Sequence, residues 1–440
     1  MSTAIGGAGR PAPPAPAVPV PVVTAAAEIP GAARRRRSRG VAVAVIGLLC
    51  LAMGTWPGVE RRPTMSLSSL TDAVTLPAVP LPIRLVGLGA GALCLLGAGV
   101  LVAARVGPRV VAGVLAGALA LLVVAFLAWD ASGQEHGSVN LAGLVATTVV
   151  AAVPLALGAL AGVLCERSGV VNVAIEGQML AGAFAGGFAG SVAASTGAGY
   201  LAAAGAGALV GLLLAVLAIR YTVNQVILGV VLNLLVLGLT TFAYNALPRS
   251  QGTPPADSPV AIPLLDRIPV VGPALFHTTK ITYLLYVALA VLAVGLTRTR
   301  WGLRTRAVGE HPRAADAAGI RVLRVRYVNV VCAGVLAGLG GAALTVGSAI
   351  GFIPNDTAGR GFIALAAVIF GGWRPLGAVG ASLFFAFAVS LQTVLTIVTP
   401  PVDIPSQVFA ALPYLATIFA VAGLVGRVRA PAADGVPYRP

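Results

Sequence analysis

Apolar runs of bilayer length recur about a dozen times along the chain, separated by short polar connections, and this pattern limits its folding more than any other feature. Each crossing of a hydrocarbon core needs roughly 20 apolar residues in a helix, so the apolar total supplies about ten to twelve spans. In 440 residues, 58% hydrophobic and only 10% charged, a set of soluble domains is excluded, and the mean hydropathy of +0.94 says the same. Gly at 55 and Pro at 31 are too frequent for soluble bundles, but helices packed in lipid tolerate both. The expected fold is all-α and polytopic.

The formal charge of +15 rests on 28 Arg and the single Lys280. A nucleic-acid partner is one reading of such a balance. These Arg lie instead in short loops between apolar runs, where positive charge orients a membrane protein, so no nucleic acid is expected. Cys50, Cys94, Cys165 and Cys332 stand singly in or beside apolar segments, with no CxxC pair, and offer neither a metal site nor a disulfide framework.

Residues 1–40 read as an Ala/Pro-rich tail, disordered until it reaches Arg34-Arg35-Arg36-Arg37-Ser38-Arg39. The apolar run 41–56 that follows ends in Thr55-Trp56-Pro57 without a small-residue cleavage pattern, so it reads as a first span, not a secretory signal. Further spans are expected at 84–104, 110–129, 141–164, 176–196, 200–219, 224–246, 281–297, 327–350, 361–372, 376–399 and 407–426. At about twelve residues 361–372 is short and suits a half-helix. Counting loop charge with every segment crossing puts Arg105, Arg109, Arg167, Arg220, Arg374, Arg427, Arg429 and the loop 298–326 on one side, and the acid-bearing 130–140 and 400–406 on the other. Both termini are therefore expected in the cytoplasm. The division expected is a tail (1–40), extra N-terminal spans (41–135), a core (136–428) and a C-terminal tail (429–440).

Small residues at four-residue spacing, Gly182 with Gly186 and Gly190, or Gly334 with Gly338, let helix backbones approach in lipid; packing explains them better than a pore. No helix carries a continuous row of ionisable residues, which leaves a proton relay or voltage sensor without support.

Three polar stretches interrupt the pattern. The loop 298–326 holds eight Arg against Glu310 and Asp316. Within it Pro312 suits a first helical turn, four alanines follow, and Gly319 suits a left-handed stop, giving a helix of about two turns. It either docks a soluble partner or merely closes the loop. The stretch 165–178 places Glu166, Arg167, Asn172 and Glu176 between apolar runs, either as a cytoplasmic turn or as the joint of a broken helix facing a translocation path. A second opening, 355–377, has a similar polar, Gly-containing start before a short small-residue helix. Paired interruptions of this kind point to a transporter site.

Three motifs in order carry a family resemblance: Glu166-Arg-Ser-Gly-Val-Val-Asn-Val-Ala-Ile-Glu-Gly177, Gly302-Leu-Arg-Thr-Arg-Ala-Val-Gly-Glu-His-Pro-Arg-Ala-Ala-Asp-Ala-Ala-Gly-Ile320, and Thr357-Ala-Gly-Arg-Gly-Phe-Ile-Ala-Leu-Ala-Ala-Val-Ile-Phe-Gly371. Over roughly 140–426 the chain resembles the inner-membrane permeases of bacterial nucleoside ABC importers, within the branched-chain amino acid and monosaccharide permease family. The resemblance implies a multi-pass permease that pairs with a second, related permease, a cytoplasmic ABC ATPase and an extracytoplasmic substrate-binding lipoprotein. It makes 310–319 the coupling segment, with Glu310, His311, Arg313, Asp316 and Gly319 docking on the ATPase. The tail and the spans at 41–56, 84–104 and 110–129 depart from the family pattern.

A phosphate-cradling Gly-x-x-x-x-Gly-Lys-Ser/Thr loop needs a Lys in a glycine setting, and the only Lys follows Phe276-His277-Thr278-Thr279. No cofactor is expected on this chain; ATP and Mg belong to the partner ATPase. A nucleoside presents hydroxyls and a flat base, so amides and aromatic faces are apt contacts. Asn172, Glu176, Gln178, Asn224, Gln225, Asn233, Phe352 and Phe362 are the candidates for the substrate path, each of which also suits helix–helix hydrogen bonding or packing. Asp356 and Arg360 are candidates for meeting the lipoprotein. A simple sugar such as ribose or galactose is the alternative cargo. A membrane enzyme is less apt, because the fourteen acids are dispersed and no His cluster appears.

Overall fold

The computed structural model describes residues 32–56, 63–68, 74–104, 106–132, 138–247, 253–397, 405–413 and 429–439. The expected tail before residue 32, the expected span beyond residue 413, and the loop residues Glu135, His136 and Asp403 lie outside them.

Fifteen α-helices are described: α1 (Ala32–Gly54), α2 (Ile83–Ala103), α3 (Pro108–Ala131), α4 (Leu141–Glu166), α5 (Ile175–Val192), α6 (Thr196–Ala215), α7 (Gln225–Ala246), α8 (Val271–Phe276), α9 (Lys280–Arg298), α10 (Arg300–Glu310), α11 (Pro312–Ala317), α12 (Val322–Thr345), α13 (Arg360–Phe370), α14 (Pro375–Ile397) and α15 (Ser406–Ala410). Strands β1 (Thr64–Ser66), β2 (Val79–Pro80) and β3 (Ser138–Asn140) form one small sheet, and β4 (Val260–Ala261) and β5 (His277–Thr278) another. Among the described residues, nine helices are long and apolar enough to cross a membrane. The fold is an all-α, polytopic membrane protein.

Several boundaries differ from expectation: α6 starts four residues before the expected 200, and α5 and α12 end four and five residues before the expected 196 and 350. The Arg34–Arg39 run is already helical, continuous with α1; Arg is a good helix former and nothing there breaks the register. The loop 298–326 contains α10 as well as α11, capped by Thr299 Oγ1 accepting from the Gly302 N–H at 3.2 Å. Helix α12 begins five residues before the expected 327, because Arg326, read as loop charge, is 2% exposed and lies inside the helix.

The chain divides into two compact units. In the first, formed by residues up to 55 and 87–125, α1 buries Val43 beside Cys94, Ala98, Leu101 and Ala118 of α2 and α3, while Leu48, Leu49, Leu93 and Leu96 remain exposed.

The second unit holds everything else. Its axis is α4, of which 89% is buried over its apolar window against 28% for α7. Ala156, Leu157, Ala159, Leu160, Ala161 and Val163 are wholly buried. Helices α9, α12, α13 and α14 pack around it. Beside it α5, α6 and α12 cross at glycines: a Cβ on Gly182 would run into the Gly338 backbone, and one on Gly338 into Ala203 and Gly207. Dispersion between closely approaching backbones is what holds such crossings in lipid, where the hydrophobic effect is absent. At the end away from α10 and α11, Asp257 pairs with Lys280 at 3.2 Å and accepts from the Tyr200 hydroxyl at 2.7 Å, so the single lysine serves the fold.

Candidate functional site

Helix α4 ends at Glu166, whose carboxylate accepts from Trp373 Nε1 at 2.5 Å, and Arg167 Nε donates to the Trp373 carbonyl at 2.8 Å. The turn after α4 is thus tied to the turn after α13. Burial lowers the Arg167 pKa, with Glu310 acting in the opposite direction. From this turn the chain doubles back beside α4: Ile175 reaches Gly158 and Gly162, so α5 starts about two turns in from the end of α4. The stretch 165–178, open in the sequence between turn and break, is a turn followed by a re-entering break.

A doubled-back segment leaves backbone groups without helical partners, and side chains supply them. Gln225 Oε1 accepts from the Val171 N–H at 2.7 Å. Asn233 accepts from the Gly177 N–H at 2.8 Å and donates to the Val173 carbonyl at 2.9 Å. Asn172 Nδ2 donates to Gln178 Oε1 at 3.0 Å. Both of these amides are fully buried, and Asn172 Oδ1 and Gln178 Nε2 keep one open acceptor and one open donor.

Glu176 joins the two breaks. Its Oε1 accepts from Thr357 Oγ1 at 2.6 Å and the Gly359 N–H at 2.8 Å, and its Oε2 from the Gly361 N–H at 2.6 Å. The start of α13 has no side-chain cap of its own; the carboxylate from α5 takes that place, satisfying orphan donors and the positive end of the helix dipole. Eleven residues make α13 about 16 Å long, and its other end meets the α4 turn through Trp373. The clamp therefore lies about half a bilayer thickness from that end.

The remaining candidates scatter around this centre. Asn224 caps α7, accepting from Val226 and Ile227 N–H at 3.1 and 3.2 Å, and stands apart from the clamp. Phe352 is buried with edge contacts to Phe184 and Tyr244, while Phe362 is half exposed on α13. Asp356 and Arg360 flank the residues bound by Glu176, and Arg360 donates to the Asp356 carbonyl at 2.8 Å.

In the hairpin, Pro312 opens α11 and Gly319 follows it at φ +81, a left-handed turn that a side chain would strain. Glu310, His311, Arg313, Asp316 and Gly319 are exposed, and Ala315 is buried beneath them. Thr357, Trp373, Arg326 and the segment 429–439 were not singled out from sequence. Thr357 and Trp373 lay within the second opening 355–377 and Arg326 at the end of the arginine-rich loop, with nothing to mark them individually, and 429–439 was read only as a tail.

Residues 144–421 match the family described as branched-chain amino acid transport system / permease component. The chain belongs to that family. The permease is 43% identical over 305 residues to the guanosine ABC transporter permease protein NupQ of Bacillus subtilis, covering 67% of this chain and 96% of that one. It is 38% identical over the same coverage to the nucleoside ABC transporter permease protein NupC of Lactococcus lactis. A putative glucose ABC transporter permease, TsgC13 of Haloferax volcanii, is 35% identical over 57% of this chain and 77% of its own. No solved structure matches the permease. The family match begins after α3, so α1 to α3 lie outside it.

Proposed function

We propose that this permease carries a nucleoside into a bacterial cell as the transmembrane subunit of an ABC importer, through a path that opens where the two breaks meet. The observation that carries the cargo is the likeness to permeases named for guanosine and nucleosides across 96% of their length; the glucose permease is matched over less of its length, which makes a sugar the weaker reading.

The clamp supports an uncharged cargo on physical grounds. Half-helix N-termini near the membrane centre attract anionic groups of a substrate. Here Glu176 already occupies the start of α13, so a second negative charge there meets repulsion, while hydroxyls and a base edge do not. Asn172 and Gln178 offer an unused acceptor and donor beside it; with Asn233 and Gln225 on α7 they form the polar lining exposed when the breaks part. Phe352 supplies the aromatic face of that lining. Phe362 and Asn224 serve at its margins; Asp356 and Arg360, expected from the sequence to meet the lipoprotein, flank the residues bound by Glu176 and so lie at the depth of the clamp and not at the outer surface.

Motion enters from the cytoplasm. A partner ATPase holding ATP and Mg grips α11 through Glu310, His311, Arg313 and Asp316, with Gly319 fixing the end of that helix, and a second related permease completes the path. Both termini lie in the cytoplasm on this reading, which the side bias of the arginine-rich loops supports. Replacing Asp316 with Arg tests the docking reading: the variant assembles normally but imports at most about a tenth of the wild-type amount for the same ATP hydrolysed. Normal uptake by that variant would count against it.

A further inference from the structure

The C-terminal segment 429–439 has no regular secondary structure, yet it is held at several points. The Ala433 N–H donates to the Gly309 carbonyl at 2.9 Å, and the Ala432 N–H to Glu310 Oε2 at 3.2 Å. Arg439 Nη2 donates to Thr222 Oγ1 at 3.2 Å. Tyr438 is 7% exposed and packs with Val308, Ala315 and Val322, the apolar underside of α10 to α12.

Arg326 links this segment to the first break. It donates through Nε to the Ser168 carbonyl at 3.2 Å and through Nη1 to the Val436 carbonyl at 3.2 Å. A Cβ on Gly309 would strike the Arg167 carbonyl, and one on Gly169 would strike Arg326 and approach the Ala433 carbonyl. The end of α10, the turn 167–169 and the C-terminal segment therefore meet with no slack. A cavity of about 580 Å³, lined in part by His311, Arg313, Pro437 and Tyr438, lies along the seam between the segment and the hairpin. Burial pushes the Asp434 carboxyl up to about 7, against the pull of Arg326, as befits a segment seated in the protein and not lying on it.

We infer that residues 429–439 form a transmission strap: they clamp the coupling hairpin to the turn after α4, with Arg326 as the shared pin, so that displacement of α11 reaches the Glu176 clamp. Without the strap the hairpin has two places to flex, at Thr299 and at Arg321, where α10 and α12 begin. Coupling between distant sites needs a contiguous element that both bias, and the path from α11 through Gly309, the turn 167–169 and the break to Glu176 is continuous in hydrogen bonds and packing. The inference rests on the reading of α11 as the ATPase-docking element.

The test uses the complete importer reconstituted with its partner subunits, and reads ATP hydrolysed per nucleoside imported. In a permease lacking residues 430–440, hydrolysis stays within about twofold of wild type while uptake falls about tenfold, the loss expected when a coupling free energy is removed. Tyr438→Ala in the full-length chain gives an intermediate ratio, and it decides the matter if the shortened chain does not accumulate in the membrane. An unchanged ratio in the variant that assembles overturns the strap, and so does an equal loss of hydrolysis and uptake, which would make the segment a docking element only. Nucleoside-stimulated hydrolysis by the wild-type complex is measured alongside; its absence sinks the underlying functional reading instead.

Discussion

Glu176 is the residue whose replacement is most informative. Glu176→Gln keeps the shape but sets an amide N–H₂ against one of three donors and removes the charge from the start of α13. Losing a charge-assisted hydrogen bond costs about 1.5–3 kcal/mol, so the purified variant melts several degrees lower and its uptake falls well below that of wild type. Thr357→Val removes one donor of three and conserves most of the volume, costing about 1 kcal/mol, and its melting temperature lies between the two. A Thr357→Val variant less stable than Glu176→Gln would contradict the clamp. Little of this was legible in the sequence. The polar, Gly-containing motifs around Glu176 and Thr357 were visible, but the partners stand 181 residues apart, and no periodicity links them. The amide side chains were read either as nucleoside contacts or as hydrogen bonds between helices, and Gln225 and Asn233 hold the unwound backbone of 171–177 from α7.

At the scale of elements, the crossing of α5, α6 and α12 is held by glycine backbones. Gly338→Val places a branched side chain against the Ala203 and Gly207 backbone, where overpacking costs about 1–3 kcal/mol or more. The amount of folded chain recovered from membranes, read by size-exclusion of a fluorescent fusion, falls sharply. Gly113→Val, with open space beside it, leaves that amount unchanged. The spans themselves could be read from the sequence because length and apolarity decide them alone; the limits of α2, α4, α9 and α14 fall within two residues of expectation. The helix α10 and the early start of α12 could not, since their arginines look like loop charge until the fold shows Arg326 buried. The segment 429–439 carries no apolar period at all, and its place is set by hydrogen bonds to Gly309 and Arg326 from far along the chain.

For the whole molecule, the family match covers 144–421, and α1 to α3 build largely a separate compact unit with its own buried contacts. A chain lacking residues 1–55 keeps the second unit intact and, within the assembled importer, retains nucleoside-stimulated hydrolysis within about twofold, the size of change that uniform losses below half a kcal/mol produce. A complete loss, with normal membrane amounts, would assign the first helix to transport itself. The arginine-flanked runs made the membrane class readable from sequence, because lipid imposes one rule on every crossing, but the count was not: ten to twelve spans were expected and nine helices of crossing length stand among the described residues; the assignment of cargo depended on three motifs in order and on no single residue.

The central claim is that this permease moves a nucleoside only when a separate ATPase drives it. Proteoliposomes holding the permease alone, or the permease with its second permease, ATPase and lipoprotein, decide it through accumulation of labelled guanosine. Accumulation against a gradient only in the complete complex, and only with hydrolysable ATP, is the predicted result. Uphill accumulation by the permease alone, or a complete complex indifferent to every nucleoside tried, would contradict the account.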